Sequence, residues 1–223
     1  MESAFDFARD EVVPRLRGVL HALAFWFALI AAVILVVIAP TGKATLAAVV
    51  YGAGLCALFG VSATYHRWRW NPRWKPILRR IDHSTIFLFI AASYTPVALL
   101  VLHSPLRWTV LATIWAGALA GVVMSVWWIE APRVLVAACY IAVGWVAVVA
   151  MPQLFSHRGA ALPVLLLVGG LLYSLGAAAY ATKWPNPWPR TFGFHEVFHS
   201  LVIAAAIVHF VAIAGVIANP VSG

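Results

Sequence analysis

Two histidines four residues apart, His195 and His199, open the last apolar run of the chain in the string His195-Glu196-Val197-Phe198-His199. On a helix this spacing puts both imidazoles on one face, one turn apart. Imidazole is the commonest metal ligand among side chains, and an HExxH helix is a zinc-binding pattern. Polar side chains inside a membrane span are costly enough to mark function by default. Two other apolar runs bring matching groups. His66 ends the second run, and Asp82 and His83 begin the third. Zinc takes histidine nitrogen and carboxylate oxygen in a tetrahedral set, and catalytic sites keep three protein ligands plus water. His66, His195 and His199 supply three. Asp82 is then either a fourth ligand or the group that holds and deprotonates the water, and a hydrolytic site calls for the second role. Ser62, four residues before His66, faces the same way and can hydrogen-bond the ligand shell or a substrate carbonyl. A Ser-His nucleophile pair is the weaker reading, since no oxyanion-hole glycine motif accompanies it.

The elements that must position these groups are membrane spans. The chain has 223 residues, 64% hydrophobic and 10% charged, against about 45–50% and about 25% in a soluble domain. It reads as an all-α polytopic membrane protein, a single seven-helix transmembrane domain over residues 1–223 with no soluble domain. A span needs roughly 20 mostly apolar residues. The spans fall at about 18–39, 44–66, 82–102, 107–129, 133–152, 160–182 and 195–218, with breaks carrying Pro, Gly and charge. Residues 1–17 read as a cytoplasmic amphipathic segment (Asp6, Arg9, Asp10, Glu11, Arg15, Arg17). The first run lacks a small-residue cleavage site and reads as a retained span.

Lys and Arg divide unevenly between the two sides. The N-terminal segment and the loops after spans two, four and six hold 12 of the 15, and Lys43, Arg107 and Arg158 hold the other side. The positive-inside rule then places the N-terminus in the cytoplasm and the C-terminus outside, in the cell (plasma or inner) membrane. Trp68, Trp70, Trp74, Trp127, Trp128, Trp184 and Trp188 gather on the same inner side as an interfacial belt. All seven acidic residues lie there too. The net charge of +8 is therefore read as topology and membrane surface, with no nucleic-acid partner. Cys56 and Cys139 fall inside apolar runs, which implies neither a disulfide framework nor a Cys-rich metal site.

Other histidines are expected to be ordinary interhelical hydrogen bonders: His21, His103, His157 and His209. His83 is expected to face away from Asp82, towards the interface.

Three motifs in this order resemble a known family. They are Ser62-Ala63-Thr64-Tyr65-His66, then Asp82-His83-Ser84-Thr85-Ile86-Phe87 with Ser93-Tyr94-Thr95-Pro96 after it, and His195-Glu196-Val197-Phe198-His199 with His209-Phe210. Together they resemble the hemolysin III branch of the adiponectin- and progestin-receptor superfamily, from about Pro14 to Ala218. The resemblance implies a cytoplasmic-side Zn2+ on His66, His195 and His199, with Asp82 at the position that contacts the zinc-bound water. It also implies a lipid amide or ester hydrolase related to the membrane ceramidases, so that the partner is a membrane lipid or lipid-derived substrate. One departure stands out. Relatives often carry Glu-x-x-Asn-x-x-x-His before span one. Here His21 is retained, but Pro14 stands where Glu belongs and Arg17 where Asn belongs, which leaves the role of that motif open.

Two other functions compete. A membrane metalloprotease would use Glu196 as base, but no Asp or Glu follows Glu196, and Ala205 stands where the extended motif needs its third histidine. A non-enzymatic lipid sensor, receptor-like or cytolytic protein would hold a structural zinc on four protein ligands, with Asp82 on the metal. A pore lacks a polar stripe through the outer half, and a retinal pump lacks a lysine in span seven.

Overall fold

The computed structural model describes residues 13–220. Most of the expected amphipathic start, including Asp6, Arg9, Asp10 and Glu11, lies outside the described residues. Seven helical segments are long and apolar enough to cross a membrane. They are α1 (Val19–Ile38), α2 (Gly42–Arg67), α3 (Lys75–Leu100), α4 (Leu106–Trp127), the broken fifth segment, α7 (Ala161–Thr182) and α8 (Phe194–Ala218). The fifth consists of α5 (Arg133–Gly144), a 3₁₀ stretch (Trp145–Ala150) and α6 (Met151–Arg158). No strand occurs among the described residues.

Two boundaries differ from the sequence expectation. Helix α3 starts at Lys75 rather than 82, because Pro76 is well suited to a first helical turn while Arg79 and Arg80 hide that turn from an apolar window. The fifth segment runs to Arg158 rather than 152. Pro152 opens α6; its missing N–H breaks the ladder without ending the span. Tyr94 on α3 supports this break. Its hydroxyl donates to the Gly144 carbonyl at 2.5 Å and accepts from the Ala147 N–H at 2.7 Å. Backbone groups freed at membrane depth need such partners, since lipid offers none.

Each helix packs on its chain neighbour, α8 also meets α1, and α3 reaches α8 across the interior. Helix α3 is the most buried span. Helix α1 is the opposite case: only His21, Ala28 and Leu35 are buried, a stripe of one residue every two turns, while Trp26, Phe27 and Val37 face outward. Small residues let the backbones approach, as in membrane helix pairs generally. A Cβ on Gly52 would stand 2.7 Å from that of Ala32, and one on Gly54 2.7 Å from that of Ala92. These contacts bring α1, α2 and α3 close enough for short side chains to meet at one end.

Candidate metal centre

His66 is in the last turn of α2, Asp82 in the second turn of α3, and His195 and His199 in the first turns of α8. The antiparallel alternation of the spans brings these three helix ends to the same end of the bundle. One ring nitrogen from each of His66, His195 and His199 lies within 4.8 Å of the other two. The Nε2 atoms of His66 and His195 are 3.2 Å apart. Ligand nitrogens in a tetrahedron around zinc, at about 2.0–2.1 Å from the metal, are about 3.3–3.4 Å apart. A shared proton can satisfy one pair of imidazole tips, whereas a cation satisfies three. The donor set therefore fits a divalent ion of the kind histidine favours.

Asp82 is 8% exposed, and its Oδ2 is 3.7 Å from His66 Nε2. It does not join the group whose donor atoms all lie within 4.8 Å of one another. The carboxylate stands beside the imidazoles rather than among them.

The floor of the site comes from α1. His21 is 2% exposed, and its ring stacks on that of His199 at 3.7 Å between centroids and 8° between planes. Its Nδ1 pairs with the Ser62 hydroxyl at 2.8 Å, and the Asp82 carboxylate interacts with the same hydroxyl. His21 thus participates in the site without joining the three-imidazole group. Ser62 links His21 to Asp82.

Arg17 and Glu196 pair at the head of α8. Glu196 is fully buried. Its Oε1 accepts from Arg17 Nε at 2.7 Å, and its Oε2 accepts from the Gly193 N–H at 2.8 Å. Glu196 is thus a capping carboxylate at the head of α8, paired with a cation and turned away from the histidine face, as its ~100° offset from His195 requires. Gly18 makes the Arg17 placement possible. It adopts φ +74°, a left-handed conformation, and a Cβ there would meet His66 Cβ at 2.8 Å. The backbone just ahead of α1 also bonds the loop before α8, from Arg15 N–H to Arg190 O at 3.0 Å and from Leu16 N–H to Thr191 O at 3.2 Å. His21 is the interhelical hydrogen bonder expected of it. Its stacking on His199 and the pairing of Arg17 with Glu196 fill the role that the altered first motif left open. Gly18 is the residue the sequence did not single out. The available signal for His21 and Arg17 was the four-residue step between them in the altered first motif.

The remaining histidines separate clearly. His83 lines the internal cavity rather than the interface, a correction to the expectation. His103 and His157 pair with each other at the other end, ring centroids 4.6 Å apart. His209 lies deep in α8 and bonds the Leu166 carbonyl. None of these joins the three-imidazole group.

A cavity of about 150 Å³ runs from this site into the bundle. His66, Asp82, His195 and His199 line one end, and Leu102, Val110 and Leu154 the other. Asp82 and Leu102 are 20 residues apart on α3 and its C-terminal extension, about 30 Å at about 1.5 Å per residue, so the cavity follows most of the span.

Comparison with known proteins agrees with the motif reading. The profile of a family described as Haemolysin-III related matches residues 11–210. The chain is 30% identical over 207 residues to Hemolysin-3 of Bacillus cereus, covering 92% of this chain and 90% of the relative. It is 30% identical over 161 residues to the Hemolysin-3 homolog of Bacillus subtilis (strain 168), covering 72% of each. It is 31% identical over 175 residues to the human Monocyte to macrophage differentiation factor, covering 74% of this chain and 67% of the relative.

Proposed function

We propose, for a chain that belongs to the haemolysin-III-related family, that it is a zinc-dependent hydrolase of a lipid amide or ester. His66, His195 and His199 hold the ion. The observation that carries this reading is the convergence of three imidazole tips at one end of a long, largely apolar cavity. Zinc bound there would polarise a carbonyl oxygen and lower the pKa of water towards ~7. The residues of the chain do the rest. Asp82, 3.7 Å from His66, orients the water and takes its proton as oxygen adds to the carbonyl carbon. It returns that proton to the leaving nitrogen or oxygen as the C–N or C–O bond breaks, releasing a carboxylic acid and an amine or alcohol. Ser62, tethered by His21, fixes the carboxylate. The cavity holds the acyl chain and keeps bulk water from the reacting carbon. The uneven division of Lys and Arg supports a site facing the cytoplasm, in the cell membrane.

Metal analysis of purified protein tests the first half: about one equivalent of zinc in wild type, lost in His195→Ala. Turnover of a fluorescent ceramide or phospholipid tests the second. Asp82→Ala should keep the metal and lose roughly 10²–10⁴-fold in rate. Undiminished turnover in Asp82→Ala, or wild-type protein without metal, overturns the mechanism.

One observation favours a second reading, a non-enzymatic sensor with a structural ion. Asp82 Oδ2 is near enough to His66 that a small shift would make it a fourth ligand and close the site. X-ray absorption at the zinc edge separates the two: three nitrogens plus a water oxygen that exchanges with added azide supports catalysis, and a closed, azide-insensitive set supports the sensor.

A further inference from the structure

Halfway along the cavity stands a second group of polar side chains that the hydrolytic chemistry does not use. Tyr173 on α7 and His209 on α8 both line the cavity, with ring centroids 5.3 Å apart. His209 Nε2 lies 3.1 Å from the Leu166 carbonyl. A carbonyl only accepts, so Nε2 carries the proton and Nδ1 of the neutral ring is left as an acceptor. That Nδ1 and the Tyr173 hydroxyl are both buried without a hydrogen-bond partner among the described residues. So is the hydroxyl of Tyr51, which packs on Phe89, whose ring also meets Tyr173.

The placement of His209 is built rather than incidental. A Cβ on Gly169 would stand 2.1 Å from His209 Cδ2, so the ring occupies a slot on α7 that only glycine leaves open. A buried donor or acceptor without a partner costs about 1–3 kcal/mol, and the two on residues that line the cavity, Tyr173 and His209, call for a common occupant.

We propose that this stretch of the cavity binds a hydroxyl group carried on an acyl chain. A hydroxyl donates one hydrogen bond and accepts another. It can donate to His209 Nδ1 while accepting from the Tyr173 O–H. A carbonyl cannot donate to Nδ1, and an ammonium cannot accept from Tyr173. The position sets where on the chain the hydroxyl sits. His209 is ten residues beyond His199 on the same helix, about 15 Å at about 1.5 Å per residue. That is about half of a hydrocarbon core roughly 30 Å thick, or one leaflet's depth. With its head at the three histidines, the chain carries its hydroxyl beyond its midpoint. That orientation rests on the reading of the preceding subsection; the polar subsite itself does not.

Direct binding tests it, without turnover. Purified protein in lipid nanodiscs is titrated with octadecanoate and with octadecanoate hydroxylated beyond mid-chain, each displacing a fluorescent fatty acid. Two hydrogen bonds, each contributing a factor of about 2–10, give the hydroxylated probe an expected advantage of at least about fourfold. Tyr173→Phe, which preserves shape, should lower that advantage several-fold without weakening octadecanoate, and His209→Leu should do the same. Equal affinity of the two probes for wild type overturns the proposal, because it means that water alone fills the subsite. A preference that survives both substitutions overturns it as well, as does failure of both probes to bind. Asp82→Ala protein should keep the preference. Wild-type protein that shows the preference but turns over no lipid would sink the hydrolase reading and leave this one standing, whereas turnover with equal affinity for the two probes would do the reverse.

Discussion

Replacing Arg17 with methionine removes the cation opposite Glu196 while keeping most of the side chain's length. Glu196 is 0% exposed, and the Arg17 side chain is 22% exposed, with Nε 2.7 Å from Oε1. Unit charges about 4 Å apart attract by about 4 kcal/mol at an effective dielectric near 20. Removing one partner of a buried pair costs about 3–5 kcal/mol. Arg17 is partly exposed, and the Gly193 N–H stays on Oε2, so the expected loss for Arg17→Met is lower, about 2–3 kcal/mol. Glu196→Gln should cost only about 1 kcal/mol, because the glutamine oxygen still caps Gly193 and Arg17 can turn to water. The double variant buries no lone charge and should cost scarcely more than Glu196→Gln. A coupling of about 2–3 kcal/mol is then expected between two residues in direct contact. Thermal unfolding of the four proteins in one detergent, read by circular dichroism and fluorescence, measures it. Additive single costs, within about 0.5 kcal/mol, would refute the ion-pair account. Metal content and lipid turnover of Glu196→Gln, measured on the same samples, should stay near wild type. Collapse of turnover there would instead make Glu196 the base and revive the protease reading.

Other substitutions probe the frame around the site. Gly169→Ala should cost about 1–3 kcal/mol by overpacking against His209, and adding His209→Ala should recover part of it; both are read by melting temperature. Tyr94→Phe leaves the Gly144 carbonyl and Ala147 N–H without their partner in a setting where water cannot replace it. A loss of about 1–3 kcal/mol is expected, with faster amide exchange confined to residues 144–151. His21→Ala removes both the ring stacked on His199 and the partner of Ser62. Metal affinity, measured by competition with a chelating dye, should fall about 10–100-fold, as when groups that orient metal ligands are removed. Unchanged affinity would make His21 a packing residue only.

Much of the architecture was legible in the composition, because lipid allows few alternatives. A chain this apolar has to satisfy its backbone groups within each segment, so long apolar runs between charged breaks are helices that span. The count of seven followed from the breaks alone. The two shifted boundaries have local causes. Charged residues in the first turn of α3 and a proline inside the fifth span both depress hydropathy without ending a helix.

The site was legible for a related reason. Histidines and a carboxylate at the ends of apolar spans are expensive, and alternation of the spans sends helix ends two, three and eight to the same side. Residue type and span parity therefore single out His66, Asp82, His195 and His199 as candidates, and three of them meet. What parity cannot supply is azimuth and reach. Which face of α1 turns inward depends on close contacts such as Gly52 on Ala32, and these place His21 against His199. The pairing of Arg17 with Glu196, 179 residues apart, depends on the left-handed turn at Gly18 and on the strap to the loop before α8. The orphaned Tyr173 and His209 become a site only because α7 carries glycine where the imidazole must fit. Sequence alone determined which groups the lipid would not tolerate without a purpose. Packing at the ångström scale decided which of them touch, because that depends on helix rotation and side-chain volume across non-adjacent segments, and neither is written in the periodicity of one.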